Sequence, residues 1–184
     1  TGSDTIHQII CEMRNLLEIS QTIEYDILTD FCGNMTSMLS YPQKLETYYV
    51  INEQTQGNEI KDFLWVRAPN ASTWFLHSSL FCITTALMSM IGYVIGLGDR
   101  HPSNIMIQRE TGKVIHIDFA DSFESAINRE NFPEKVPFRL TRMIVNAFGG
   151  SGGEGTFKNT CEDVMWILRE NRRSLVALLE IFIN

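Results

Sequence analysis

Positive charge is in short supply in this chain: 15 Lys and Arg stand against 22 Asp and Glu, for a net charge of −7 over 184 residues. Such a balance disfavours non-specific association with polyanions, so no nucleic-acid partner is expected. Cysteine is sparse and scattered. Cys11, Cys32, Cys82 and Cys161 form no CxxC pair and no metal-like spacing with histidine. That excludes a disulfide scaffold or a zinc module and fits reduced, mostly buried thiols in the cytoplasm. The first residues are polar and lack a basic start, so no secretory leader is expected. The glycosylation-type triplets at Asn34 and Asn70 then read as chance matches. Internal repeats are missing. The glycine-rich Gly149-Gly150-Ser151-Gly152-Gly153-Glu154-Gly155 lacks the Lys-Ser/Thr ending of a P-loop and reads as a flexible loop. Asp, Glu, Lys and Arg are absent from Ala68 to Gly98. Ser72, Thr73, His77, Ser78, Ser79, Thr84, Thr85 and Ser89 interrupt that stretch, which argues for a core helix buried on all sides and against membrane insertion.

What remains is a chain of ordinary globular composition, 44% hydrophobic and long enough for one domain with a sizeable core. Its most informative residues are Gly98-Asp99-Arg100-His101-Pro102-Ser103-Asn104 and Val114-Ile115-His116-Ile117-Asp118-Phe119. The apolar runs Ile105-Met106-Ile107 and Val114 to Ile117 flank a short polar loop, Arg109-Glu110-Thr111-Gly112, and so predict a β-hairpin. In an antiparallel hairpin the start of one strand faces the end of the other. Asn104 and Asp118 are therefore predicted side by side, an amide oxygen beside a carboxylate. Hard oxygen donors of that kind suit magnesium, which is usually held by few protein groups plus phosphate oxygens. Asp99, in the loop that feeds the first strand, stands where it could orient or deprotonate an attacking hydroxyl. Together these residues predict metal-assisted phosphoryl transfer.

The Asp99-to-Asn104 offset equals that between the catalytic-loop Asp and metal-binding Asn of protein kinases, but His101 follows the aspartate instead of preceding it. Asp-Arg-His-x-x-Asn followed by Ile-Asp-Phe resembles the catalytic core of the phosphatidylinositol 3-kinase-like superfamily. Ala86 to Gly98, before the loop, and Phe132-Pro133-Glu134-Lys135-Val136-Pro137-Phe138-Arg139-Leu140-Thr141-Arg142-Met143, after it, resemble the protein-kinase branch of that superfamily, the target-of-rapamycin type most closely. Weaker similarity runs from Asp4-Thr5-Ile6-His7 through Phe63-Leu64-Trp65-Val66 to Cys161-Glu162-Asp163-Val164-Met165, so nearly the whole chain is covered.

The resemblance implies a mainly α architecture: the large C-terminal lobe of a PI3/PI4-kinase-like catalytic domain, over residues 1–184, with a small hairpin carrying the metal ligands. It implies a catalytic loop at 98–104, a metal-binding hairpin at 104–119 and an activation loop at 118–142. Asp99 and His101 would be catalytic, the first toward the acceptor hydroxyl and the second toward the transferring phosphoryl group or as a shared base. Asn104 and Asp118 would bind magnesium, with manganese as the alternative ion. Met106 and Ile117 would floor the adenine of ATP, and Thr5 would lie near the nucleotide just after the hinge. Expected partners are protein substrates, the kinase's own upper lobe and regulatory subunits of a larger complex, in the cytoplasm, with any membrane association peripheral and through those partners.

Two departures stand out. Ala120 occupies a place usually held by glycine, which restricts the loop. Nothing in these residues matches the family's phosphate-covering loop or its nucleotide lysine, so the chain reads as a lobe whose hinge and upper lobe are absent, trimmed rather than lost. The activation segment balances Arg129, Lys135, Arg139 and Arg142 against Asp121, Glu124, Glu130 and Glu134. Near-neutrality favours a protein acceptor over an anionic lipid surface. A phosphoinositide kinase lobe and a non-catalytic docking lobe remain the alternatives; small-molecule phosphotransferases lack the Phe-Pro-x-Lys-x-Pro-Phe segment.

The other segments predict helices: one after an Asp4 cap with Ile9, Met13 and Leu16 inward, two at Leu45–Val50 and Ile60–Val66, and a last one capped by Thr160 with Val164, Leu168, Leu175, Leu178 and Phe182 along one face. Arg169, Arg172 and Arg173 would lie on its solvated side.

Overall fold

Residues 2–32, 39–123, 136, 138–150 and 152–183 are described by a computed structural model. Ser3–Thr5 forms a short strand (β1) that runs directly into helix α1, Ile6–Leu16. Thr5, not Asp4, caps that helix. Its hydroxyl accepts from the Gln8 amide at 3.2 Å, and the Gln8 side-chain oxygen accepts from the Thr5 amide at 2.9 Å, a reciprocal capping box. Asp4 sits within β1 and pairs with Arg109 instead. Ile6, Ile9 and Met13 are buried, whereas Leu16 is 63% exposed because the helix ends there and the chain turns away.

Helix α2, Ile23–Cys32, was not foreseen. Helix α3 spans Tyr41–Gln54, starting before the predicted Leu45 because Ser40 and Gln43 form a second capping box with Pro42 in the first turn. Helix α4, Glu59–Val66, follows. Arg14, 4% exposed, ties these helices together: it donates to Glu59 at 3.0 Å, to the Gln21 carbonyl at 3.0 Å and to Glu24.

Ala71–Ile95 forms α5, the long uncharged helix, with Asn70 accepting from the Thr73 amide at 2.9 Å and Gly96 ending it at φ 61°. By length and composition it is apolar enough to cross a membrane. Burial on all sides is not what the structure shows. One face, with Phe81, Cys82 and Ala86, enters the core, while Phe75 and Leu76 are 67% and 54% exposed. The reason is that α5 is covered from particular directions, by α4 and by elements that follow it.

Strands β2, Ile105–Gln108, and β3, Val114–His116, are the two arms of the predicted hairpin. They pair antiparallel with Ile105 opposite His116 and Ile107 opposite Val114. The sheet is larger than a hairpin, because β1 pairs with the other edge of β2, giving the order β1-β2-β3. The outer edge of β3 is closed by the helix: the Val114 amide donates to the Thr84 hydroxyl at 2.9 Å. Ile105, Ile107 and Val114 bury one sheet face in the common core with Phe63, Phe81 and Ile9.

Arg142–Asn146 forms the short helix α6, and Gly152–Glu154 a single 3-10 turn within the glycine-rich segment. Helix α7, Thr156–Glu170, packs along α5, with the rings of Phe81, Phe148 and Phe157 in series at 5.9 and 4.8 Å. It begins at Gly155, so Thr160 lies inside it and caps nothing. Asn171 interrupts the predicted single helix, and α8, Arg172–Ile183, starts anew, which leaves Leu178 58% exposed. Arg169, Arg172 and Arg173 are exposed, and the Phe182 side chain lies outside the described residues. The architecture is mainly α, with one three-stranded sheet.

Candidate active site

The C-terminus of α5 delivers the chain to the site. After Gly96, Leu97 is buried and the Gly98 amide donates to the Asp121 carbonyl at 2.7 Å. A second bond, from the Phe123 amide to the Ile95 carbonyl at 2.6 Å, fastens the segment after Asp118 to the same helix end. Between these anchors lie all four polar residues predicted to carry the chemistry.

Asn104 occupies the centre. Its backbone amide donates to the His101 carbonyl at 2.9 Å, and its side-chain amide donates to the Asp99 carbonyl at 3.0 Å. Its own carbonyl accepts from the Ile117 amide at 3.1 Å, extending the β2–β3 pairing by one residue and setting Asp118 at the end of the ladder. The bond sets Ile117 opposite Asn104, so Asp118 is the next residue along the chain from Asn104's backbone partner. With the side-chain nitrogen tied to Asp99, the amide oxygen is the side-chain atom that remains to serve as a metal donor. The Asp118 carboxylate accepts from the Ala120 amide at 3.3 Å. An amide oxygen and a carboxylate are hard oxygen donors of the kind magnesium takes, with phosphate oxygens completing its shell. Among the described residues no cluster of three or more His, Cys, Asp or Glu offers an all-protein cage.

Asp99 and Asp118 both adopt left-handed backbone, at φ 56° and 58°, a conformation Asp tolerates better than most residues. Ala120 is not in that region, so the alanine meets no backbone strain where it stands. His101 is half exposed. Its Nε2 lies 3.8 Å from an Asp99 carboxylate oxygen, and its Nδ1 accepts from the Ser103 amide at 3.2 Å. Asp99, Arg100 and His101 line a cleft of about 230 Å³ together with Phe138 and Arg139. Residues 124–135 and 137, the bulk of the predicted activation loop, lie outside the described residues.

The predicted nucleotide contacts fall on one face of the sheet. Thr5 is opposite Met106, and Met106 is opposite Ile115. Residues directly opposed across antiparallel strands share a face, and residues two apart along a strand share it too. Thr5, Met106, Ile115 and Ile117 thus form one row, while Ile105, Ile107, Val114 and His116 point into the core. The outward row is apolar and open: Ile115 is 43% and Ile117 37% exposed. The Thr5 hydroxyl is at the same time engaged with Gln8.

Sequence reasoning passed over three residues here. Ile115 belongs to the outward row, and the alternation of the strand was the signal that could have found it. His116 lies behind the sheet, where burial first and the nearby Arg100 charge second hold its pKa down at about 4, so it is neutral at physiological pH. Arg100 is 5% exposed and hydrogen-bonds to backbone carbonyls on both halves of the site. No spacing rule announces such partners.

Comparison with known proteins agrees with this geometry. The profile of phosphatidylinositol 3- and 4-kinases matches residues 1–184. The chain is 44% identical over 180 residues to the serine/threonine-protein kinase mTor of Drosophila melanogaster, covering 98% of this chain and 7% of that protein. It is 47% identical over 181 residues to the serine/threonine-protein kinase TOR2 of Saccharomyces cerevisiae, again covering 98% of this chain and 7% of the relative. Among solved structures, the FAT and kinase domain of CtTel1 superposes with a TM-score of 0.77 at 30% identity, over 95% of this chain and 12% of that one. The chain thus corresponds to a small part of each of these proteins.

Proposed function

The chain belongs to the phosphatidylinositol 3- and 4-kinase family, and from that premise we propose that it forms the large lobe of a serine/threonine protein kinase of the target-of-rapamycin type. In this reading the lobe transfers the γ-phosphate of ATP to protein hydroxyls. The observation that carries it is the pair of bonds through Asn104, one from its side chain to the Asp99 carbonyl and one from the Ile117 amide to its own carbonyl, which tie the Asp99 loop to the strand that leads into Asp118.

Asp99 orients the acceptor hydroxyl and draws its proton as the phosphoryl group arrives. His101, within 3.8 Å of Asp99, shares that proton or, when charged, balances the phosphoryl oxygens. Asn104 and Asp118 hold magnesium, which would supply charge neutralisation on the phosphates. The outward row of Met106, Ile115 and Ile117 gives the adenine an apolar floor, with Thr5 at its end. Phe138 and Arg139, which share the cleft with Asp99, face the acceptor. Phosphoryl transfer depends on positioning and electrostatic stabilisation. A lobe without the upper half of the nucleotide clamp loses about 3 kcal/mol or more of that stabilisation, the cost of one preorganised donor. The isolated lobe is therefore a poor catalyst, and the kinase works in the cytoplasm with an upper lobe and regulatory subunits.

The test is magnesium-dependent transfer of labelled phosphate from ATP, by this chain alone and by the chain joined to a family upper lobe. A serine/threonine peptide pool and phosphoinositide vesicles serve as competing acceptors, and Asp118→Asn as the blank. Peptide labelling by the joined protein, lost in the blank, is the expected result. Labelling of lipid alone would overturn the acceptor, and no labelling by the joined protein would leave a docking lobe.

A further inference from the structure

We infer that Arg100 is a positioning residue that welds the catalytic loop to the metal-binding strand, so that Asp99, Asn104 and Asp118 move as one body. The inference rests on the kinase reading above for what is being positioned, but its geometric part does not.

Arg100 is a cation buried to 5% exposure. Its guanidinium reaches at least four backbone carbonyls among the described residues: Nε donates to Gly98 at 2.7 Å, Nη1 to Ile117 at 2.7 Å and to Asn104 at 3.4 Å, and Nη2 to Asp118. Those acceptors mark the entry to the loop, its exit, and the last two residues before the chain leaves the hairpin. One side chain therefore joins segments up to 18 residues apart. A buried charge is costly unless it is hydrogen-bonded on several sides, and these carbonyl dipoles contribute to that compensation. Only a planar fork with donors in fixed directions makes the arrangement; a lysine ammonium has three donors on a single atom and cannot span it.

The carbonyls it holds belong to the residues whose side chains carry the proposed chemistry. Asn104 and Asp118 each give Arg100 their own backbone oxygen. Asp118 is held in left-handed backbone, which persists only where the surroundings over-determine it. Fixing the Asp118 carbonyl fixes the direction in which its carboxylate leaves the chain. Asp99, one residue before Arg100, is bounded on one side by the Gly98 contact and on the other by the Asn104 side chain. Arg100 thus acts through its neighbours and not on the substrate.

The test compares wild type, Arg100→Lys and Arg100→Gln in the chain joined to its upper lobe. Hydrogen exchange reads the geometry without turnover: the amides of Gly98 and Ile117 should exchange at least tenfold faster in Arg100→Lys, while amides in the middle of α5 keep their protection. Manganese binding in the presence of ADP, followed by electron paramagnetic resonance, should weaken by about tenfold, the lower end of what loss of a ligand-supporting contact costs. Under peptide saturation kcat should fall about 100-fold, as expected for a misplacement near 1 Å, with peptide KM within twofold. If Arg100→Lys exchanges and binds manganese like wild type, the inference is wrong. It is equally wrong if protection falls uniformly through α5, because that is a global loss of stability. Arg100→Gln should exceed the lysine variant in each effect; should it fail to fold, Arg100→Lys decides. A wild-type protein that labels no acceptor would sink the kinase reading, while the exchange result would still decide the weld.

Discussion

Replacing Gly96 by alanine tests how the site is hung from the end of α5. Gly96 has φ 61°, and a Cβ there would lie 2.5 Å from the Phe123 carbonyl oxygen. Two costs follow. The left-handed conformation itself costs a non-glycine residue about 1–2 kcal/mol. The contact is with backbone, so the 121–123 segment must move, loosening the Phe123-to-Ile95 bond at 2.6 Å and the Gly98-to-Asp121 bond at 2.7 Å. Each is worth about 1 kcal/mol net, for a total of about 3–4 kcal/mol. Gly149 provides the control. It has φ 87°, and an added Cβ would meet nothing within 4 Å, so Gly149→Ala reports the backbone cost alone. Urea unfolding should place Gly96→Ala about 2 kcal/mol below Gly149→Ala, or roughly 4–8 °C lower in thermal midpoint for a chain of this size. Equal losses in the two variants would show that the Gly96–Phe123 contact carries no energy and refute the reasoning.

Two further outcomes concern the Arg14 cluster. Glu59→Ala leaves the buried Arg14 with one fewer carboxylate and should cost about 3 kcal/mol in urea unfolding; a change under about 0.5 kcal/mol, ordinary for surface positions, would contradict the pairing. For Glu24, burial is the largest influence and raises the pKa, but the Arg14 hydrogen bond, a backbone hydrogen bond and the charges of Arg14 and Arg142 together outweigh it, leaving the group below its usual 4.5. A lowered folded pKa contributes stability that is complete above the unfolded value and is lost as pH falls through the folded one. The stability gap between wild type and Glu24→Gln should therefore close on acidification from neutral pH to about pH 3, and a gap constant with pH would exclude the ion pair as its source.

Much of the candidate site could be read before the structure, because the hairpin is written in local signals. Two apolar runs around Arg109–Gly112 fix the turn, and the turn fixes which residues meet. The third strand was hidden: Ser3-Asp4-Thr5 is short and polar, and it is extended only because the β2 edge is there to pair with it. Thr5 serves both as strand end and as helix cap, which placed the predicted cap one residue early. The break at Asn171 was invisible for a different reason, since the apolar spacing continues through it and a cap contact decides the matter: the Asn171 side chain bonds back to the Ile167 carbonyl at 2.9 Å. Composition overstated the burial of α5. Absence of charge says that a helix tolerates the core, not that neighbours surround it. Arg100 escaped because its partners are main-chain oxygens, which every sequence has.

The left-handed backbone at Asp99 and Asp118 has a consequence for variation at these two positions. Each position passes through two filters, one for folding and one for chemistry, and only aspartate satisfies both. Asparagine and glycine meet the first and fail the second, so a comprehensive substitution screen should find them abundant but inactive. β-Branched residues fail both and should be depleted from the soluble fraction, although neither aspartate lies in the core. Positions usually regarded as purely chemical would then register as structural in an abundance assay, and the contrast between valine and asparagine at one site would separate the two demands.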